Sequence, residues 1–116
     1  MRISNITKQT VLATKANKAD TFASRMVGLL KHKTLNESEG LIITRCNSIH
    51  MFFMRFAIDV VFIDKKNKVV ALVENIKPNR LSKIFWKAST AIELPVGVIS
   101  KSNTAVNDLL QFQHTH

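Results

Sequence analysis

Residues 58 to 64, IDVVFID, place Val, Ile and Phe at successive positions, so both sides of an extended chain would be apolar. A strand with one face in water alternates apolar and polar residues, whereas a run without alternation fits a strand covered on both faces. KKNK follows as a polar turn, and KVVALVENI returns as the hairpin partner. This pair commits the chain to a β framework. With 116 residues, 46% of them hydrophobic and 22% charged, the chain supports one domain around one core.

The remaining elements are read from the same signals. Segment 9 to 15, QTVLATK, is an expected opening strand, and ANKAD has turn composition. Asp20 can cap a helix over about residues 20–31, because its carboxylate can accept from the free backbone N–H groups that follow. Phe22, Met26, Leu29 and Leu30 recur there at helical spacing, with Arg25 and Lys31 elsewhere around the helix. Gly28 inside it costs roughly 1 kcal/mol against Ala and fits a close backbone approach. Gly40 is expected to take a positive φ and turn the chain into a strand at 41–44. IFWKASTAIEL offers another strand ending at Pro95 and Gly97, VNDLLQF the last one, and residues 113–116 a frayed tail. The expected fold class is α+β, mainly β: a single compact domain over 1–116, with an antiparallel-rich, barrel-like sheet and one short N-terminal helix.

Seventeen Lys and Arg against eight Asp and Glu give a net charge of +9, which attracts phosphates and acidic polymers whatever the fold. The basic residues are scattered from Arg2 to Lys101, and the longest local cluster is Lys65, Lys66 and Lys68. With one Trp and no Tyr there are few stacking platforms, so nucleic acid ranks low among the partners expected. The single Cys46 excludes an internal disulfide and a Cys-x-x-Cys pair. No apolar segment follows the first charged residues and no run reaches the ~20 apolar residues of a membrane span, which predicts a cytoplasmic protein.

Polar residues gather in CNSIHMFFMRFAIDVVFID, residues 46–64. Cys46, His50 and Asp59 are the residue types of a thiolate–imidazole–carboxylate centre. Four extended residues span ~13 Å, however, so Cys46 and His50 meet only if NSI turns sharply. Otherwise Cys46 is a small buried hydrophobe. His50, followed by Met51, Phe52, Phe53 and Met54, is a ring in an apolar wall, either held neutral by a backbone hydrogen bond or facing a pocket. His32 in a loop and His114 and His116 in the tail supply no companion ligands, so neither metal nor cofactor is expected. Asp59 among apolar neighbours must be paired or accept backbone N–H bonds, with Arg25, Arg45 and Arg55 the candidate cations. It either ties down a loop or works in a cleft beside His50. Glu93, in AIELPVG, poses the same question.

Taken together, ADTFASRMVGLLKHKTL, EGLII, CNSIHMFFMRFAIDVVFID with VV behind it, AIELPVG and a later ND resemble the Domain of Unknown Function 192 family over about residues 10–112. The positions matching its pattern are Arg25, Gly28, Leu29, Gly40, His50, Met54, Asp59, Phe62, Glu93 and Gly97. The family's closing Gly-Asp is here Asn107-Asp108, and Asn tolerates a left-handed turn. Ala57 stands where relatives often have Pro, which removes a preset φ. The resemblance implies a compact, mainly β domain with a short helix near its start, and no established activity.

The function expected is that of a small binding module, for an unknown small ligand or protein partner, with a pocket near His50 to Asp59 formed by Arg25, His50, Met54, Asp59 and Glu93. The alternative is a hydrolase-type acid/base enzyme using Asp59, His50 and possibly Glu93. A third reading is an exposed aromatic face, with Phe52, Phe53, Phe85 and Trp86 as anchors.

Overall fold

The computed structural model describes residues 1–19, 35–51 and 54–114. In chain order these form β1 (Arg2–Asn5), β2 (Thr10–Ala13), β3 (Lys15–Ala19), β4 (Glu39–Thr44), β5 (Ile58–Ile63), β6 (Val69–Ile76), β7 (Thr90–Leu94), the short helix α1 (Val98–Lys101) and β8 (Leu110–Gln113). The strands make two sheets. One has five strands in the order β3-β4-β7-β5-β6, and the other three in the order β2-β1-β8.

All six residues of β5 are buried, as the unbroken apolar run requires. β5 pairs antiparallel with β6 across the KKNK turn and with β7 on its other side. Alternation then sorts the side chains of the five-stranded sheet onto two faces. Ile42, Val61, Ile63, Ile92 and Leu94 face the three-stranded sheet and join Ile3, Leu12 and Leu110 in one core cluster. Ile43, Val60, Phe62 and Ala91 face the other way and pack with Ile49, Met51 and Met54 in a second. Segments 45–57 and 77–89, which hold no named strand or helix among their described residues, help to cover this second face. Their backbones are joined by Met51 N–H to Arg80 O at 2.8 Å, Ser82 N–H to Ile49 O at 2.8 Å and Phe85 N–H to Asn47 O at 2.8 Å.

Several expectations need correction. The sheet is not barrel-like: it is two separate sheets, with β3 and β6 at the edges of the larger one. A barrel closes only when its two edge strands pair with each other, and β3 and β6 do not. The short helix seen among the described residues lies near the C-terminus, at Val98–Lys101, and not near the N-terminus. The segment expected to be helical at 20–31, with Arg25 and Gly28, lies outside the described residues. KANKA, most of which reads as a turn, is β3, an edge strand paired parallel with β4 that turns Ala16 and Ala19 inward and leaves its lysines in water. Of IFWKASTAIEL only Thr90–Leu94 is strand. β1 was not anticipated at all.

Gly40 is also used differently from expectation. It lies inside β4, and the positive φ in the preceding turn belongs to Ser38, at 77°. A Cβ at Gly40 would stand 3.1 Å from Leu94 Cδ2 and 3.4 Å from Ala13 Cβ, so the glycine permits close packing. Most left-handed turns fall to asparagine: Asn67, Asn75, Asn79, Asn103 and Asn107 all have positive φ. Asn107, at 80°, thus makes the turn expected where the family pattern has glycine.

Candidate functional site

Asp59 is 1% exposed and makes no ion pair with Arg45 or Arg55. Instead its Oδ1 accepts the Asn75 N–H at 2.9 Å, and its Oδ2 accepts those of Gly97 at 3.0 Å and Ile99 at 3.1 Å. One carboxylate therefore fastens the backbone of β6 at Asn75 and the start of α1 to the start of β5. Charge-assisted bonds to three backbone donors replace the water that a buried carboxylate loses.

Glu93, 0% exposed, lies in β7 directly opposite Leu41 of β4 and Val60 of β5. Cross-strand partners share a face, which puts Glu93 on the second face with Val60 and Leu41. Asp59 is opposite Leu94, on the face toward the three-stranded sheet. The two carboxylates are consequently on opposite sides of one sheet. They do not share a reacting centre.

Met54 packs into the second-face cluster, and half-buried His50 forms a bridge with Leu81 in the covering segments. Of the predicted site residues, His50, Met54 and Glu93 thus belong to the loop-covered side of the sheet, Asp59 to the other, and Arg25 lies outside the described residues. Cys46 is half-buried at the margin of the same cluster, and its thiol donates to Ser48 O at 3.0 Å. Phe85 stacks against Phe62 with ring centroids 4.8 Å apart, whereas Trp86 is 81% exposed. Of the aromatic anchors expected from sequence, Phe85 is thus packed inward and Trp86 is exposed, while Phe52 and Phe53 lie outside the described residues.

A buried polar cluster went unnoticed in the sequence. Asn5 donates through Nδ2 to Asp108 Oδ2 at 2.9 Å and Thr104 Oγ1 at 3.1 Å, while Lys8 Nζ reaches Asp108 Oδ2 at 2.9 Å. Ser102 and Thr104 hydroxyls lie 2.7 Å apart beside them. Burial alone would raise the Asp108 carboxyl, but hydrogen bonds from Asn5, Lys8 and the Ala105 N–H outweigh it and hold the group below its ordinary value. The cluster ties β1 to the turn before β8. Its signal was available: Asn5 repeats the inward phase of Ile3 along β1, a polar residue where an apolar one is due.

Comparison with known proteins gives the same frame. The family model of DUF192, described as "Uncharacterized ACR", matches residues 3–112. A UPF0127 protein of Thermococcus sibiricus is 38% identical over 113 residues, covering 94% of this chain and 73% of its own. A UPF0127 protein of Pyrococcus furiosus is 33% identical over 111 residues, covering 93% of this chain and 95% of its own. A crystal structure of a protein of unknown function from Novosphingobium aromaticivorans superposes with a TM-score of 0.78 at 16% identity, over 96% of this chain and 82% of that one, a likeness of fold alone.

Proposed function

The chain belongs to the DUF192 family of uncharacterised proteins, and on that premise we propose that it is a small binding module whose ligand site lies on the loop-covered face of the five-stranded sheet, around His50, Met54 and Glu93. The observation that carries this reading is the placement of Glu93. It is a fully buried carboxylate among apolar side chains, on the face that irregular segments cover. Apolar walls with a few fixed polar groups, closed over by loops on a rigid scaffold, are the usual make-up of small-molecule sites. A single thiol and the absence, among the described residues, of any helix long and apolar enough to cross a membrane are compatible with the cytoplasmic setting expected from sequence.

The acid/base alternative uses Asp59, His50 and possibly Glu93; it is less favoured because Asp59 lies across the sheet from Glu93 and both its oxygens already accept backbone N–H groups. Asp59 enters the proposal as the clasp that keeps the scaffold rigid, not as a group that meets the ligand.

A thermal-shift screen with sugars, nucleotides, short peptides and divalent metals tests the reading. A ligand at about 100 times its Kd stabilises the native state by about 2.7 kcal/mol, a rise of about 10 °C for a domain of this size. The rise should disappear in Glu93→Gln and in His50→Ala. A screen in which nothing raises the melting temperature, or in which the rise survives both substitutions, would count against the site.

A further inference from the structure

The sequence weighs against nucleic acid because its basic residues are scattered and its stacking platforms few; its lysine cluster and its one tryptophan are 18 or more positions apart, Lys68 to Trp86. Folding removes that separation. Asp64, Lys65, Lys66 and Lys68 line one groove with Trp86, Lys87 and Leu109, with a volume of about 620 Å³.

Both walls are held by the backbone. On one, the Asp64 carboxylate accepts the N–H groups of Lys66 at 2.9 Å and Lys68 at 3.0 Å, and Asn67 supplies the left-handed residue, φ 64°. The turn is fixed by its own acid, and its three lysines are left exposed. On the other, Phe85 is drawn inward by Phe62 and its N–H donates to Asn47 O. Ala88 N–H closes the turn on Phe85 O at 2.8 Å, and Ser89 N–H reaches Ile63 O at the end of β5 at 2.8 Å. With its neighbours pinned, Trp86 is presented to solvent at 81% exposure rather than left there by a loose loop. Leu109, 42% exposed, bridges to Lys68 on the floor between the walls.

We propose that this groove binds single-stranded nucleic acid, one base stacked on the Trp86 indole and the phosphates on either side of it met by Lys65, Lys66, Lys68 and Lys87. Charge complementarity carries the choice: four lysines face one aspartate that already serves its own turn. The exposed ring carries the rest. An acidic peptide satisfies the lysines but offers no regular flat face to an indole, and a duplex keeps its base faces inside its own stack. A single strand offers phosphate and an open base at every residue, the combination that stacking platforms set in basic grooves recognise. The site is on a different part of the molecule from Glu93 and does not depend on the reading given for it.

Trp86 is the sole tryptophan and the chain has no tyrosine, so its emission reports on this groove alone. Titration with an oligothymidylate of about eight nucleotides at about 50 mM salt should quench that emission to saturation. Three or four phosphate contacts predict a log–log salt slope of about −2 to −3. Followed by the anisotropy of a labelled strand, Trp86→Ala should weaken binding about 10-fold or more, with most of it restored in Trp86→Phe. Lys66→Glu with Lys68→Glu should weaken binding and flatten the salt slope, and both sets of variants should keep the parent melting temperature. No quenching by the oligonucleotide would overturn the proposal. So would equal affinity for polyglutamate or duplex DNA, or unchanged affinity in Trp86→Ala. Binding of thymidine monophosphate as tight as the strand would show a nucleotide pocket instead, and would overturn it as well.

Discussion

The two faces of the five-stranded sheet each carry an apolar cluster and are covered in different ways. Toward the three-stranded sheet, Val61, Ile63, Ile92 and Leu94 meet side chains from other strands, and the buried Asp59 has three backbone donors. On the opposite face, segments whose described residues form no named strand or helix lay Ile49, Met51 and Met54 over Val60 and Phe62, with Glu93 on the same face. Strand-on-strand packing is rigid and specifies the fold, while irregular cover can rearrange at lower cost. Truncations on the first face are therefore expected to cost more stability than equivalent ones on the second.

The sharpest way to break this comparison is Asp59→Ala. It strands the buried N–H of Ile99 and the part-buried ones of Asn75 and Gly97 at once, and with about 1–3 kcal/mol for each unsatisfied donor the loss should reach about 4 kcal/mol. Urea denaturation would measure it, and a loss below about 1 kcal/mol would mean that the clasp is not structural. Next, equivalent truncations on the two faces should differ. Ile92→Ala should fall near the upper end of the range for core truncations, about 4 kcal/mol, and Met54→Ala near the lower end, about 2 kcal/mol, because irregular cover can settle into the space. Equal losses would remove the distinction between the faces.

What could be read from the sequence divides along the line between local and distant causes. β5, its turn and β6 were legible because an unbroken apolar run and a polar tetrapeptide carry their own instructions. The need of Asp59 for donors was legible as well. Their identity was not, since they come from residues 75, 97 and 99, brought to it only by the completed fold. Gly40 misled for a related reason: glycine suits a turn or a tight contact equally, and the contact here is with Leu94, 54 positions along the chain. β3 was hidden by its own chemistry, because an edge strand studded with lysine and asparagine has the composition of a loop. Closure of a sheet into a barrel or its division into two sheets is a property of all strands together, and no segment encodes it.

A smaller effect separates the polar cluster at Asp108 from both faces. Its folded carboxyl is held below the ordinary value, so the stability it contributes is fully present above the unfolded value near pH 4 and is lost as pH falls through the folded one. Asp108→Asn keeps the shape but gives up the bonds that Lys8 and the Ala105 N–H make to a charge, for a loss of about 2 kcal/mol at pH 7. Unfolding curves at pH 7 and pH 3 should show the variant losing less stability between the two than the parent does. An unchanged acid limb would assign the pH dependence to other carboxylates, Asp64 among them, which backbone bonds from Lys68 and Lys66 also hold low.

The smallest effect on stability is expected at the largest exposed ring. Trp86 lies outside both apolar clusters, and its backbone is fixed by neighbours that the substitution does not touch: Phe85 on Phe62, and Ser89 on the end of β5. Removing a side chain that is 81% in water takes away little buried area, so Trp86→Ala should change unfolding free energy by less than about 0.5 kcal/mol. An exposed indole held out on a pinned turn beside four lysines fits the groove proposed above. A measured loss of about 2 kcal/mol would place the indole among the residues that hold the covering segments down, and the comparison between the faces would then have to include it.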